Sequence, residues 1–338
     1  MGKTVTPPVK SYIRAKVAAD SAIEKNRPAT IYVGDCLALF KAIPAESIDL
    51  IVTSPPYCIG KEYEKGWDLE RFRSLHEKVL PEAVRVLKPG GSLCWEVGYH
   101  VKDAITTPLD FIIYDIASRI PDIKLRNRII WVYGHGLHSN NRFSGRHETI
   151  LWFSKGSKGS EYFFNLDPVR IPQKYPGKTH YKGPKAGQPS GNPLGKNPSD
   201  VWSHIPNVKA QHVEKTAHPC QFPVALAENL ILSLSPENGI VLDPFSGVSS
   251  TGVAAIRRNR RYLGAELSKE YSEIAEARLR AAIDGTAVVR ELDKPIEDPN
   301  PRYKVAQAPS NFVAATPHAK TSDKPSDSRD ITTMIPAL

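Results

Sequence analysis

The sequence lacks the features that mark membrane, secreted and zinc-binding proteins. It has four cysteines in 338 residues, and they are too far apart to form a Cys-x-x-Cys pair or a zinc cluster: Cys36, Cys58, Cys94 and Cys220. No apolar run reaches the length of a transmembrane helix, and residues 1–20 hold no apolar signal-peptide core. We therefore expect a cytoplasmic protein with reduced thiols, no bound metal and no membrane contact.

The composition fits a globular protein with a basic surface. Hydrophobic residues make up 41% of the chain, enough for one sizeable α/β core with insertions or for two smaller domains. The formal net charge of +9 suits a polyanionic partner such as nucleic acid. Many basic proteins bind no nucleic acid, so charge alone does not identify the partner.

Short apolar runs alternate with helical periodicity, which predicts βα units over a mostly parallel sheet. In the first part we expect a helix over 69–87, ended by Lys88-Pro89-Gly90-Gly91, and strands over 47–52, 93–97, 128–132 and 149–153. In the last part we expect helices over 223–234, 250–258 and up to 279, and strands over 239–242 and 262–266.

Residues 154–215 have a different character, rich in Gly, Pro and Lys with little periodicity. They hold ten basic and four acidic residues, an excess of six positive charges. This segment is either an inserted lobe or a solvated, mobile loop, the commoner fate of such sequence. Beyond residue 293 the chain is rich in Pro, Ser, Asp and Lys, which predicts a disordered tail.

The segment Thr53-Ser54-Pro55-Pro56-Tyr57 directly follows a predicted buried strand. Carboxyl ends of parallel strands are where active sites lie. The Ser54 hydroxyl and the Pro55 carbonyl can accept hydrogen bonds from an amine, two prolines stiffen the backbone, and Tyr57 offers a flat face for a base. An ordinary Pro-Pro turn or a polyproline ligand is the alternative. The position after a buried strand favours the functional interpretation.

A second segment, Val241 to Gly252, reads as a strand, a turn of small residues and a helix. Such a turn lets a ligand approach the backbone and the helix N-terminus. Glu266 ends the next predicted strand, a position suited to ribose hydroxyls. The turn lacks Gly-x-Gly-x-x-Gly, so by itself a tight turn with a surface acid is an equally valid interpretation.

Together the two segments resemble the DNA amino-methyltransferases, which make N4-methylcytosine and N6-methyladenine. Ser54-Pro55-Pro56-Tyr57 matches the catalytic motif of that family. Asp243-Pro244-Phe245-Ser246-Gly247 matches its cofactor motif, and the match ends at Val248. The resemblance implies S-adenosylmethionine as cofactor and a Rossmann-like α/β fold, with a mostly parallel seven-stranded sheet, helices on both faces and an inserted DNA-recognition lobe.

The resemblance extends to further cofactor contacts. The segment Tyr32 to Cys36 resembles the one that contacts the adenine ring, which implies contacts from Asp35 and Cys36. The segment Ala217 to Pro223 resembles the one that precedes the cofactor strand and contacts the methionine moiety, which implies contacts from His218 and Pro219. The resemblance also implies a ribose contact for Glu266, a methionine contact for Asp243 and a place in the cofactor pocket for Thr53. The order of the motifs resembles the β subgroup, which implies catalytic halves over 1–153 and 216–293, a recognition region over 154–215 and a tail over 294–338.

The partner implied by the resemblance is double-stranded DNA, with a cognate restriction endonuclease and a homodimer as open questions. Serine in the first motif position favours cytosine N4 as the methylated atom, with adenine N6 as the alternative. RNA, a protein amide and a non-catalytic DNA-binding role are further alternatives. We expect DNA contacts from basic residues of the insertion and of a preceding loop: Arg142, Arg146, Lys174, Lys178, Lys182, Lys185 and Lys196.

A Pro-Cys pair, Pro219-Cys220, is also reminiscent of the nucleophile of cytosine C5-methyltransferases. Here it precedes the cofactor strand instead of following it. We therefore expect a buried structural cysteine and no covalent catalysis.

Overall fold

A computed structural model of the chain describes residues 13–14, 27–57, 68–134, 136, 138–156 and 161–296. Cys58, for which the sequence suggested no role, lies outside these ranges. The predicted disordered tail also lies outside them, apart from its first three residues. Within the described residues, no helix is long and apolar enough to cross a membrane.

The first part of the chain contains three helices and most of the strands. The helices are α1 (Cys36–Ala42), α2 (Leu69–Val86) and α3 (Leu109–Ser118). The strands are β1 (Ile13–Arg14), β2 (Ala29–Val33), β3 (Ile48–Thr53), β4 (Leu87–Val97), β5 (Tyr99–Lys102), β6 (Ile105–Pro108), β7 (Ile123–Val132) and β8 (His147–Lys155). The predicted helix over 69–87 and all four predicted strands are present, and β4, β7 and β8 are longer than expected.

The last part continues the βα alternation. After a 3-10 turn at Asp167–Val169 and the two-residue strand β9 (Val201–Trp202), the elements are α4 (Val224–Leu234), β10 (Ile240–Asp243), α5 (Ser250–Arg257), β11 (Arg261–Glu266) and α6 (Lys269–Ile283). Each agrees with the predicted element to within a few residues. Ser268 caps α6 by accepting a hydrogen bond from the Tyr271 backbone N–H.

Nine strands of the described residues form one sheet in the order β1-β2-β11-β10-β3-β4-β8-β7-β9. The first six strands in this order, β1, β2, β11, β10, β3 and β4, are parallel to their neighbours. Strand β8 is antiparallel to both of its neighbours, β4 and β7. The resemblance implied seven strands; the sheet has two more, because the two-residue strands β1 and β9 extend its edges. The predicted methyltransferase-like α/β fold is thus confirmed.

Helices cover both faces of this sheet, as predicted. One buried cluster joins side chains of α1, α2 and α3 to the sheet, including Phe40, Phe72 and Trp95. The other joins α4, α5 and α6 to the opposite face, including Leu230, Val253 and Leu279. Because β3, β10 and β11 are buried on both faces, they are nearly continuous apolar runs.

The strand order places the two sequence motifs side by side. β3 and β10 are direct neighbours, with Leu50 paired to Val241, and β11 lies on the other side of β10. Since all three strands run in parallel, they end at the same edge of the sheet. The segments that follow Thr53, Asp243 and Glu266 therefore meet at that edge.

Candidate active site

A cleft of about 1490 Å³ opens at the carboxyl edge of the parallel strands. Both motifs contribute to its walls, so residues about 190 positions apart in the sequence line one cavity. Most of the residues predicted for catalysis and cofactor binding are found there: Asp35, Cys36, Ser54, Pro55, Pro56, Tyr57, His218, Pro219, Pro244, Phe245, Ser246, Gly247 and Glu266.

Two of the predicted cofactor residues, Thr53 and Asp243, lie behind the wall of the cleft and not on it. Both side chains are completely buried, and the Thr53 hydroxyl donates a 2.6 Å hydrogen bond to Asp243 Oδ1. The same oxygen accepts from the Phe245 backbone N–H at 3.1 Å. These bonds fix the turn that follows β10 against the end of β3, so the two residues hold both motifs in register.

Asp243 is buried with incomplete hydrogen bonding. Its Oδ2 atom accepts no hydrogen bond of normal geometry from the described residues, although the Thr251 hydroxyl acts on this carboxyl. Burial, which outweighs the hydrogen bonds from Thr53 and neighbouring groups, raises the pKa of Asp243 to about 6. A positively charged ligand group at this end of the cleft would lower the pKa of Asp243.

The turn between β10 and α5 is tied to the end of β11. Gly247 has a φ of +51°, which favours glycine, and a Cβ there would approach His218 Nε2 to 3.3 Å. The Glu266 carboxylate accepts from the backbone N–H groups of Gly247 and Ser268, each at 2.8 Å. Burial raises the pKa of Glu266, although these bonds favour its ionised form. Each Glu266 oxygen keeps lone pairs for a hydroxyl-bearing ligand.

Asp35 and Cys36 line the cleft at the start of α1. Asp35 is the N-cap of that helix and accepts from the Leu37 backbone N–H at 2.7 Å. Cys36 is buried, and burial together with the Asp35 charge raises the pKa of its thiol to about 12. The thiol therefore stays neutral and serves as an apolar wall.

His218 lies between α6 and the turn that joins β10 to α5. Its ring packs edge-on against Tyr271 with centroids 4.6 Å apart, and its Nδ1 accepts from the Cys220 backbone N–H at 3.2 Å. Burial, helped by Lys215 and Arg278, lowers the pKa of His218 to about 4. The ring is therefore neutral at physiological pH, with its proton on Nε2.

Cys220 is exposed and lines the cleft. The expectation of a buried structural cysteine is therefore wrong. The segment from His218 to Phe222 is an irregular stretch along the cleft, and the apolar packing that buries Cys36 and Cys94 does not reach it. The three described cysteines form no disulfide.

The catalytic motif is anchored by a chain of hydrogen bonds. Ser54 Oγ and the Tyr57 hydroxyl are 2.6 Å apart, and the Tyr57 hydroxyl donates to Glu96 Oε2 at 2.8 Å. Tyr57 is only 9% exposed, and burial with the nearby charge of Glu96 raises its pKa well above the usual value. The tyrosine therefore stays protonated, and its ring is held in one orientation at the cleft wall.

Sequence reasoning missed Glu96, Glu148 and Tyr133, which also line the cleft. Glu96 lies near the end of β4, Glu148 lies in β8, and the Tyr133 hydroxyl donates to Glu148 Oε1 at 3.4 Å. A signal was available for Glu96, because it interrupts an apolar stretch of β4, and a carboxyl group in such a position faces the core or a cavity. Glu148 stands between His147 and Thr149 at the start of β8, so its place in the sequence carries no such signal.

The basic residues predicted for DNA contact divide into two groups. Arg142 lines the cleft mouth, whereas Arg146, close in sequence, bonds to the Gly145 carbonyl at 2.8 Å and approaches His138. The five predicted lysines are exposed and lie outside the cleft lining: Lys174, Lys178, Lys182, Lys185 and Lys196. Lys78 and Lys209, which the sequence did not single out, line the cleft.

Comparison with known proteins agrees with this geometry. The DNA methylase family matches residues 48–277, which span both motifs. A Type II methyltransferase of Bacillus subtilis, M.BglII, is 47% identical over 75% of this chain and 70% of its own length. The DNA adenine methyltransferase YhdJ of Escherichia coli is 34% identical over 76% of this chain and 84% of its own length.

A solved structure has the same architecture. A putative DNA modification methylase of Thermus thermophilus, complexed with S-adenosyl-L-methionine, is 28% identical, with a TM-score of 0.55 over 75% of this chain and 94% of that one. The family, the relatives and the shared fold thus agree with the two motifs that line the cleft. The chain belongs to the DNA methylase family and is an S-adenosylmethionine-dependent DNA amino-methyltransferase.

Proposed function

We propose that this protein methylates the exocyclic amine of a cytosine, at N4, within a specific sequence of double-stranded DNA. The observation that carries the proposal is the single cleft shared by Ser54 to Tyr57 and by the turn after Asp243. A base cannot reach such a cleft while it is stacked in a duplex. The target nucleotide is therefore extruded from the helix before it enters.

The residues of the cleft fit the cofactor. Asp243 lies behind the cleft wall, where it holds the turn after β10 and adds negative charge beside the place proposed for the positively charged methionine moiety. Gly247 leaves the backbone open beside His218, and Glu266 offers acceptors to the ribose hydroxyls. Asp35 and Cys36 then lie at the adenine end, and His218 and Pro219 at the methionine end. When bound, S-adenosylmethionine supplies an electrophilic methyl group on a positively charged sulfur.

The catalytic motif prepares the amine for attack. The lone pair of an exocyclic amine is delocalised into the ring of the base, so the amine is a weak nucleophile. Hydrogen bonds from its N–H groups to Ser54 Oγ and to the Pro55 carbonyl return electron density to the nitrogen. Pro56 stiffens this segment, and the Tyr57 ring, held through its hydroxyl by Glu96, provides the stacking face.

Cytosine is favoured over adenine because Ser54 occupies the first position of the motif, where serine is typical of N4-cytosine enzymes. Adenine N6 is the alternative, supported by the similarity to the adenine methyltransferase YhdJ. A neutral hydroxyl accepts from either amine, so the choice depends on the ring contacts of the pocket.

The segment over 154–215 is proposed as the DNA-reading region, with catalytic halves on either side. The exposure of its five lysines and its excess of positive charge support this role, because phosphate contacts need solvent-facing cations. Arg142 and Arg146 would approach the strand from the cleft mouth. A cognate restriction endonuclease is a further proposal, motivated by the Type II relatives. A homodimer is proposed only from the resemblance to the β subgroup.

One experiment tests base, position and partner together. DNA from cells that express the protein is sequenced to map modified bases, beside DNA from cells that express the Ser54→Ala variant. N4-methylcytosine at one recurrent sequence, absent from the variant, is the expected result. N6-methyladenine would establish the alternative base. Unmodified DNA, together with transfer of labelled methyl to RNA or protein, would refute the proposal.

A further inference from the structure

Two acidic side chains lie beside the catalytic motif; the function proposed above uses Glu96 only to hold Tyr57 and does not use Glu148. Glu96 and Glu148 both line the cleft, and the charge of Glu96 acts on Glu148. In the antiparallel pair β4–β8, Glu96 is opposite Ile150, so Glu148 lies two residues along on the same face of the sheet. The strands thus hold two carboxyl groups side by side.

The two oxygens of Glu96 have different surroundings. Oε2 accepts the hydrogen bond from the Tyr57 hydroxyl, whereas Oε1 is buried and has no donor among the residues that the structure describes. Two ionised carboxylates cannot hydrogen bond, and adjacent buried charges of like sign do not both persist. A proton on Glu148 would give Oε1 its donor and remove the repulsion.

The surroundings of Glu148 support this protonation. Burial, and next the charge of Glu96, raises its pKa well above the usual value. The other titratable groups that face the pair are the hydroxyls of Tyr57 and Tyr133 and the thiol of Cys220. Both tyrosines have raised pKa values and remain neutral.

We infer that Glu148 is protonated and donates to Glu96, and that this arrangement leaves Ser54 free to accept from the target amine. The Tyr57 hydroxyl donates to Glu96 Oε2. The 2.6 Å bond between Tyr57 and Ser54 is then donated by Ser54, since the Tyr57 proton is already committed. The lone pairs of Ser54 Oγ are left for the amine N–H groups.

Glu148 is therefore a positioning residue, which acts through Glu96 and Tyr57 and does not touch the base. In a reversed chain, with Tyr57 donating to Ser54, one of the two Ser54 lone pairs would be occupied and the Ser54 proton would compete for the space of the amine N–H groups. If the pair lost its shared proton, repulsion would separate the two carboxylates and release Tyr57. The inference rests on the proposed methylation of an amine at Ser54.

The test uses the full-length protein and needs a direct view of the shared proton. Infrared difference spectra of the wild type, with isotope-labelled glutamate, should show a protonated carboxyl at neutral pH. The same band should be missing in Glu148→Gln. Glu237→Gln, an exposed acid ahead of β10, is the matched control and should keep the band.

The second measurement is kinetic: the rate of methyl transfer is measured at saturating DNA and cofactor over a range of pH. The wild-type rate should fall at alkaline pH, when the pair loses its proton. In Glu148→Gln the amide N–H donates permanently, so the rate at neutral pH should stay within about threefold and the alkaline fall should disappear. Glu148→Leu, which leaves Glu96 Oε1 without a donor, should lose about tenfold or more. Cys220→Ser should retain the alkaline fall.

The outcomes separate the two proposals. A wild type that transfers methyl but shows no carboxyl band at neutral pH overturns the inference alone. An alkaline fall that persists in Glu148→Gln, or that is lost in Cys220→Ser, does the same. A wild type that transfers no methyl to any DNA refutes the proposed function, and the inference with it.

Discussion

Replacement of Asp243 by asparagine should stabilise the folded protein at neutral pH while weakening cofactor binding. The pKa of Asp243 is raised from 3.8 to about 6 in the fold, because burial of the charge outweighs its hydrogen bonds. At 1.36 kcal/mol for each pKa unit, the ionised carboxylate costs about 3 kcal/mol at pH 7. The amide oxygen of the asparagine can still accept from Thr53 and Phe245 without carrying a charge, so we expect a gain of about 1 to 3 kcal/mol.

The sign of this effect follows from protonation. Below about pH 4 Asp243 is protonated in both states and has no such cost. Between about pH 4 and pH 6 the unfolded chain loses its proton first, so the stability of the wild type falls as the pH rises. Above about pH 6 the full cost is present. Glu266 and Glu148 also have raised pKa values, so only the difference between variant and wild type isolates Asp243.

The assay is thermal unfolding from pH 4 to pH 8, with and without S-adenosylmethionine. The midpoint of Asp243→Asn should lie several degrees above that of the wild type at pH 7, and the two midpoints should converge near pH 4. Added cofactor should raise the wild-type midpoint and have much less effect on the variant. Asp103→Asn, at an exposed turn, is the control. A variant that is less stable at pH 7, or equally offset at all pH values, would refute the reasoning.

Three further predictions test the motif, the basic segment and the core. Ser54→Ala and Tyr57→Ala should each lower transfer of tritiated methyl to DNA by on the order of 10²-fold, with little change in cofactor affinity by calorimetry; equal loss of both would contradict their proposed roles. The second prediction concerns the five exposed lysines, each replaced by serine: Lys174, Lys178, Lys182, Lys185 and Lys196. DNA binding should weaken, and the slope of log K against log salt concentration should become shallower by about one for each phosphate that is no longer neutralised. An unchanged slope would exclude this segment from the DNA interface. Glu228→Ala should lower the free energy of unfolding by about 3 kcal/mol, because Glu228 is buried and binds Arg257 and Arg258 at 2.9 Å. Urea titration measures this change, and a loss below about 1 kcal/mol would contradict the prediction.

Much of the fold was predictable because buried parallel strands and amphipathic helices have simple patterns. The strand over 48–52 and the strand over 240–243 are apolar runs of the expected length, and each is followed by a motif. The helix over 69–86 has the expected 3.6-residue period. By contrast, the sequence pattern left residues 99–122 unassigned, although they form a hairpin and α3. These elements are short, so their periodicity gives a weak signal.

The site was predictable only where its residues follow one another in the chain. Ser54 to Tyr57 and Asp243 to Gly247 are contiguous, and all except Asp243 line the cleft as expected. Glu96 and Glu148 come from different strands, and nothing in the sequence pairs them. We predicted that Cys220 is buried, because lone thiols usually are. It is exposed, because it lies in an irregular segment outside the packed core.

The sequence by itself determined the elements, the two motifs and the chemistry of each, since strand and turn propensities are local and a Ser-Pro-Pro-Tyr turn has the same donors and acceptors wherever it lies. Only the tertiary structure decided which groups share a cavity. The strand order brings β3 beside β10 and β4 beside β8, and pairing over such sequence distances depends on how the whole sheet packs. That packing buries Asp243 behind the cleft and places Glu148 against Glu96, and it is what perturbs their protonation.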